Sequence, residues 1–299
     1  MMQSTYKILN NVQTQLFTWG HPFDCNGSDV IICITGNPGF PDFYIEFGKE
    51  LHKSTNLPVC IVGQAGHVEV PDSESNNLDG NKELFNLQGQ LAHKLDLMIN
   101  YVDKKSKIHL VGHSIGAWLI LELLNINESI SKKVSSINLL FPTLQKMAES
   151  RNGKFLNKVL RRINIFLVMM FSLVSLLPLW LRLYVIGLYL KFNSLPPHYA
   201  DRILKYLNPK VGEKVLFLAY DEMDTVTVLN TVALDKVKNL TNVIYSNKDG
   251  WAPVHYMDDL RIFQPHLQMK EVDIEHAFVL KSSEQVAEMV SNFIKVKQN

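Results

Sequence analysis

KIHLVGHSIGAWLILELL, residues 107–124, decides the fold. Its first half, Ile108 to Val111, is a short apolar run with the composition of a buried strand. Its second half, Ala117 to Leu124, is a longer apolar run of good helix formers. Between them stands Gly112-His113-Ser114-Ile115-Gly116, which fits G-x-S-x-G. A nucleophilic serine on a tight strand-to-helix turn has a strained backbone, and its neighbours two positions away must be small. The same turn aims backbone N–H groups and a helix N-terminus at a reacting carbonyl. The spacing therefore predicts a nucleophile elbow with Ser114 at its tip.

Working outward, DVIICITG (29–36), LPVCIVG (57–63), VSSINLLF (134–141), NVIYSNKDG (242–250) and QMKEVDIEH (268–276) read as further strands. Leu84, Leu87, Leu91, Leu95 and Met98 recur at helical spacing, with Lys and Asp at the other positions. Ala117–Ile126 and Gln285–Val296 carry similar stripes. This alternation predicts an α/β fold with a mostly parallel, doubly wound sheet and its site at the carboxyl ends of the strands. It lapses between about 145 and 240. Residues 1–144 and 241–299 are therefore expected to form the sheet domain and 145–240 a helical insertion.

In such a fold the acid and the base follow the serine in chain order. His276 stands at the end of the last strand-like run and is the expected base; His266, beside Pro265, reads as solvated. Asp249 ends the preceding run and is the expected acid, to hold the imidazole tautomer and stabilise the imidazolium. Asp221 and Asp224 are the alternatives. Two backbone donors are needed for an oxyanion: Ile115, directly after the serine, and Asn37 in Thr35-Gly36-Asn37-Pro38-Gly39, because Pro38 has no N–H. His113 is expected to pack sideways and His67 to fix a loop. No metal and no organic cofactor is implied.

The remaining composition narrows the partners. The chain has 299 residues, 46% apolar and 20% charged, with net charge +1, which excludes a disordered chain and gives no reason to expect nucleic acid. Cys25, Cys33 and Cys60 cannot form a closed disulfide framework and read as thiols of a reducing compartment. The first 15 residues lack the apolar core of a secretory signal, so a cytosolic-side location is expected.

Residues 163–190 depart from the average: they are apolar except for a few polar residues and one charge, Arg182. Before Pro178 the run has 15 residues and after it 12, roughly 22 and 18 Å of helix against a hydrocarbon core of ~30 Å. Ser114 precedes this segment while Asp249 and His276 follow it, so a single span would separate residues that must meet. The expectation is a hairpin dipping into a monolayer, or a lid. Its contacts would be Leu173, Leu176, Pro178 and Trp180 at hydrocarbon depth or the interface, and Arg161 and Arg162 at anionic headgroups.

ITGNPG (34–39), GHSIG (112–116), KDGWAP (248–253) and EHAF (275–278) together resemble the lipid droplet-associated hydrolase family of the α/β-hydrolase superfamily. The resemblance implies a serine hydrolase of neutral lipid esters, including sterol esters, on lipid droplets and endoplasmic reticulum. The alternative expectation is a lipid-droplet surface protein that keeps the hydrolase fold and acts mainly in lipid storage or droplet organisation.

Overall fold

The structure, a computed structural model, describes residues 1–70 and 77–298. Eight strands form one sheet: β1 (Met2–Leu9), β2 (Val12–Trp19), β3 (Val30–Ile34), β4 (Val59–Val62), β5 (Ile108–His113), β6 (Val134–Leu140), β7 (Thr241–Ser246) and β8 (Gln268–Val272). Their order is β1-β2-β4-β3-β5-β6-β7-β8. All pairings from β4 through β8 are parallel, and β1 and β2 add an antiparallel edge. That edge hairpin is absent from the strands expected above. Its turn is Asn10-Asn11, both at positive φ, which asparagine tolerates better than most residues.

The longer helices are α1 (Ile45–Thr55), α2 (Leu87–Asn100), α3 (Ile115–Ile126), α4 (Arg151–Lys158), α5 (Asn164–Leu176), α6 (Leu179–Phe192), α7 (Tyr199–Tyr206), α8 (Pro209–Thr225), α9 (Thr231–Val237) and α10 (Ser283–Gln298). The central strands are apolar on both faces because both are covered. Ile32, Leu110, Leu139 and Val243 pack with α2, α3 and α9. Their neighbours Ile31, Val111, Leu140 and Ile244 pack with α1 and α10 on the other side. This is the α/β-hydrolase arrangement. Cys25, Cys33 and Cys60 are buried free thiols.

Between β6 and β7 the chain is helical. It makes α4 to α9 and returns to the sheet beside the strand it left. Within it, Arg151–Leu176 is one helical stretch long and apolar enough, by length and composition, to cross a membrane, and its most apolar part is wholly unburied. The helical run thus begins twelve residues before the uncharged segment starts at Ile163, on a basic first turn. Pro178 separates α5 from α6, as its fixed φ and missing N–H require. The two arms rest on different partners. Phe171 of α5 meets Gly212 of α8 and the ring of Tyr206, while Ile186 and Leu190 of α6 cluster with Leu195 and Tyr199. Both ends of the segment rejoin one sheet, so a crossing by one arm is incompatible with the assembled domain.

One expected surface position is inside. Lys94 of α2 has no exposed surface, although it stands between the apolar positions of that helix. Its ammonium group reaches Gln64 Oε1 (2.9 Å), Gln90 Oε1 (3.1 Å) and His93 Nδ1 (3.1 Å). Burial pushes its pKa well down.

Candidate active site

Ser114 sits between β5 and α3 at φ 55°, ψ −120°, a left-handed conformation costly for a side chain with a Cβ. The two flanking glycines make it possible. A Cβ on Gly112 would lie 2.6 Å from the Gly116 carbonyl oxygen, and one on Gly116 would lie 2.5 Å from that of Ile34. Strand, turn and helix are therefore in backbone contact, and the serine is pushed out at the carboxyl end of the sheet.

Asp249 and His276, at the ends of β7 and β8, meet it there. His276 Nδ1 lies 2.6 Å from Asp249 Oδ2 and Nε2 lies 3.0 Å from Ser114 Oγ. A carboxylate only accepts, so Nδ1 carries the proton and Nε2 is left to accept from the serine hydroxyl. The acid is held in turn: its Oδ1 accepts from the N–H groups of Trp251 (2.8 Å) and Ala252 (3.0 Å), and its side chain is 1% exposed. The alternative acids lie elsewhere. Asp221 accepts from the Leu87 N–H, and Asp224 takes both guanidinium nitrogens of Arg161 at 2.7 Å.

The turn after β3 lies against the serine, for a Cβ on Gly36 would come within 3.0 Å of Ser114 Cβ. Gly39 N–H donates to His67 Nδ1 (2.9 Å), so His67 does fix this loop, and burial pushes its pKa down to about 3. Among the described residues no protein group accepts from the N–H of Asn37 or of Ile115. Both donors adjoin the serine with hydrogen-bonding capacity to spare.

His113 and three residues that the sequence reading did not single out complete the surroundings. His113, expected to pack sideways, ties two loops together. Its Nε2 donates to the His276 carbonyl (2.9 Å), and Tyr44 donates its hydroxyl hydrogen to Nδ1 (2.6 Å) while accepting from the Gly36 N–H (2.9 Å). Burial holds His113 neutral by pushing its pKa down, and pushes that of Tyr44 up. Glu222 of α8 accepts from Asn37 Nδ2 (2.9 Å), and the same nitrogen reaches the Val215 carbonyl (3.2 Å). Burial raises the Glu222 carboxyl to about 8. Lys94 acts from below through Gln64, whose amide donates to the Thr35 carbonyl (2.6 Å). Of these, Glu222 had a readable signal: it follows Val211, Val215 and Leu218 on the apolar stripe of α8.

A cavity of about 600 Å³ lies beside His276, lined by it, by Gly36 and Asn37 of the turn after β3, and by residues of α6 and α7. The residues assigned to a lipid surface lie outside it. Leu173, Leu176 and Trp180 are 54%, 81% and 69% exposed, and Pro178 and Arg162 are exposed too. Arg161 is exposed as well, but its fork is taken by Asp224 and its charge lies over the Tyr220 ring. The pair joins the start of the arm to α8.

Comparison with known proteins places this site in context. A family model described as lipid-droplet associated hydrolase matches residues 27–279. A lipid droplet-associated hydrolase of Drosophila melanogaster is 41% identical over 303 residues, covering 98% of each chain. One of Homo sapiens is 30% identical, covering 89% of this chain and 84% of its own. Among solved structures, a thermophilic esterase from Thermogutta terrifontis superposes with a TM-score of 0.62 at 14% identity, over 99% of this chain and 100% of that one. Likeness at that identity speaks for the fold alone.

Proposed function

Because the chain belongs to the lipid-droplet associated hydrolase family, we propose that it hydrolyses carboxylic esters of neutral lipids, sterol esters and acylglycerols among them, at the cytosolic face of lipid droplets and endoplasmic reticulum. The observation that carries this reading is the hydrogen-bonded line Asp249–His276–Ser114 at 2.6 and 3.0 Å beside an apolar cavity. Ser114 Oγ attacks the ester carbonyl carbon while His276 Nε2 takes its proton. The N–H groups of Asn37 and Ile115 stabilise the negative oxygen. The intermediate collapses with cleavage of the C–O bond, and His276 returns the proton to the departing alcohol. Water then attacks the acyl-serine, its proton passing to His276 and on to Ser114 as the acid leaves. Asp249 keeps the imidazole oriented throughout. An alcohol in place of water would make the same site an acyltransferase.

Residues 145–240 are read as the insertion that joins this chemistry to a lipid monolayer, through the exposed side chains of α5 and α6. A fluorophosphonate probe tests the reading. Purified protein should be labelled at Ser114, and Ser114→Ala should abolish labelling and lower ester turnover by on the order of 10⁴-fold or more. A folded wild-type protein that takes no label and turns over no ester supports instead a droplet-surface protein acting in lipid storage.

A further inference from the structure

An ester has two halves, and the cavity treats them differently. Gly36, Asn37, His113 and His276 line it beside the triad, and Tyr189 and Tyr206 are the hydroxyl-bearing residues that α6 and α7 add. The far walls are Phe43, Leu195, Ile203, Leu207 and Leu280, with Ile186 of α6 as roof. These side chains offer dispersion contacts and no hydrogen bond. Val185 and Tyr189, on the same helix as the roof, also line the cavity and are 55% and 52% exposed, so the rim belongs to the outward apolar surface of α6.

Volume selects the half that fits. At roughly 30 Å³ per methylene-sized group, 600 Å³ holds about 20 such groups. One acyl chain of about 16–18 carbons fills that space, whereas a sterol ester of such a chain, with about 45 groups, needs roughly twice as much.

We propose that this cavity binds one long unbranched acyl chain, admitted past Val185 and Tyr189 from the lipid side, with the alcohol half left at the mouth. The proposal rests on the esterase reading for the orientation of the chain and deepens it: selectivity lies in acyl length, and the alcohol contributes little. Free fatty acids carry the same chain as the esters and occupy the same cavity without chemistry. That separates binding from turnover.

The test uses full-length protein. Ser114→Ala protein is titrated with cis-parinaric acid, a fluorescent C18 fatty acid, and the probe is displaced with unlabelled C8, C12, C16 and C22 acids. Displacement should strengthen by about two- to fourfold per added methylene up to C16, then stop improving at C22. Ile203→Trp, or Leu280→Trp should the first not fold, should weaken C16 binding at least tenfold. In the active protein the same substitution should lower the ratio of C16 to C4 p-nitrophenyl ester turnover by a similar factor. Equal displacement by C8 and C16, or C16 binding indifferent to both folded wall variants, overturns the proposal. Graded binding without hydrolysis of any ester sinks the esterase reading and leaves the cavity assignment standing. Hydrolysis without length dependence does the reverse.

Discussion

Asp249 shows how much one side chain is asked to do. Its Oδ2 fixes the tautomer of His276 and its Oδ1 is held by two backbone N–H groups, so the carboxylate cannot turn away. Asp249→Asn keeps the shape but offers an amide where Nδ1–H needs an acceptor. Turnover of a short-chain ester should fall on the order of 10³–10⁴-fold, with smaller losses in Asp221→Asn and Asp224→Asn. If either of those is the more damaging change, the acid is misassigned. Glu222 carries a different expectation. Its folded pKa, about 8, lies above the ordinary carboxylate value, so the folded state binds the proton more tightly than the unfolded one. Stability is therefore lost as pH climbs from the ordinary carboxylate range to about 8, and the loss is complete above it. Glu222→Gln keeps an acceptor for Asn37 and cannot ionise. Its Tm should match that of the wild type near pH 5 and exceed it near pH 9, by a margin worth on the order of a few kcal/mol. Thermal melts at the two pH values decide; an equal shift at both would show that ionisation is not the cause.

At the scale of elements, α5 and α6 present apolar side chains to the outside while their inner edges pack on α8 and α7. Magnitudes say which part of this surface dominates. Fully burying one large apolar side chain contributes about 1.5–3 kcal/mol, so a half-exposed one adds roughly 1. Several of these along two helices outweigh a single cation near headgroups, at about 1 kcal/mol. Leu173→Asp with Leu176→Asp should therefore release the protein from floated droplets into cytosol, since each charge at hydrocarbon depth costs about 2.5–3.5 kcal/mol. Arg162→Gln should reduce the floating fraction only in part. A double Asp variant that floats like wild type would put the anchor elsewhere. Strands β3 to β7 were legible in the sequence because buried parallel strands are apolar on both faces, and α2, α3 and α10 because their apolar stripes recur at helical spacing; β8, an edge strand with exposed Gln268, Lys270 and Glu271, was read from its place before His276. The elbow was legible because strand, G-x-S-x-G and helix follow one another without a gap. The β1–β2 hairpin was not, although Tyr6, Ile8, Asn10, Asn11 and Val12 carry a hairpin turn between alternating runs; Lys7, Gln13 and Gln15 dilute the pattern. Tyr44 and Lys94 were beyond reach for another reason. Tyr44 meets His113 and Lys94 meets Gln64 across the fold, and neither residue type signals burial.

For the whole molecule, the order in which the chain visits its own site matters in time. Ser114 is made first, the two apolar arms next, Asp249 and His276 last, on the two strands that close the sheet. Synthesis proceeds from the N-terminus at about 5–20 residues per second, and 276 − 190 = 86 residues separate the end of the apolar segment from the base. For roughly 4–17 s, then, every nascent chain carries the apolar arms without His276. During that interval the arms can meet whatever lipid or chaperone stands nearest the ribosome, before the proposed ester cleavage can begin.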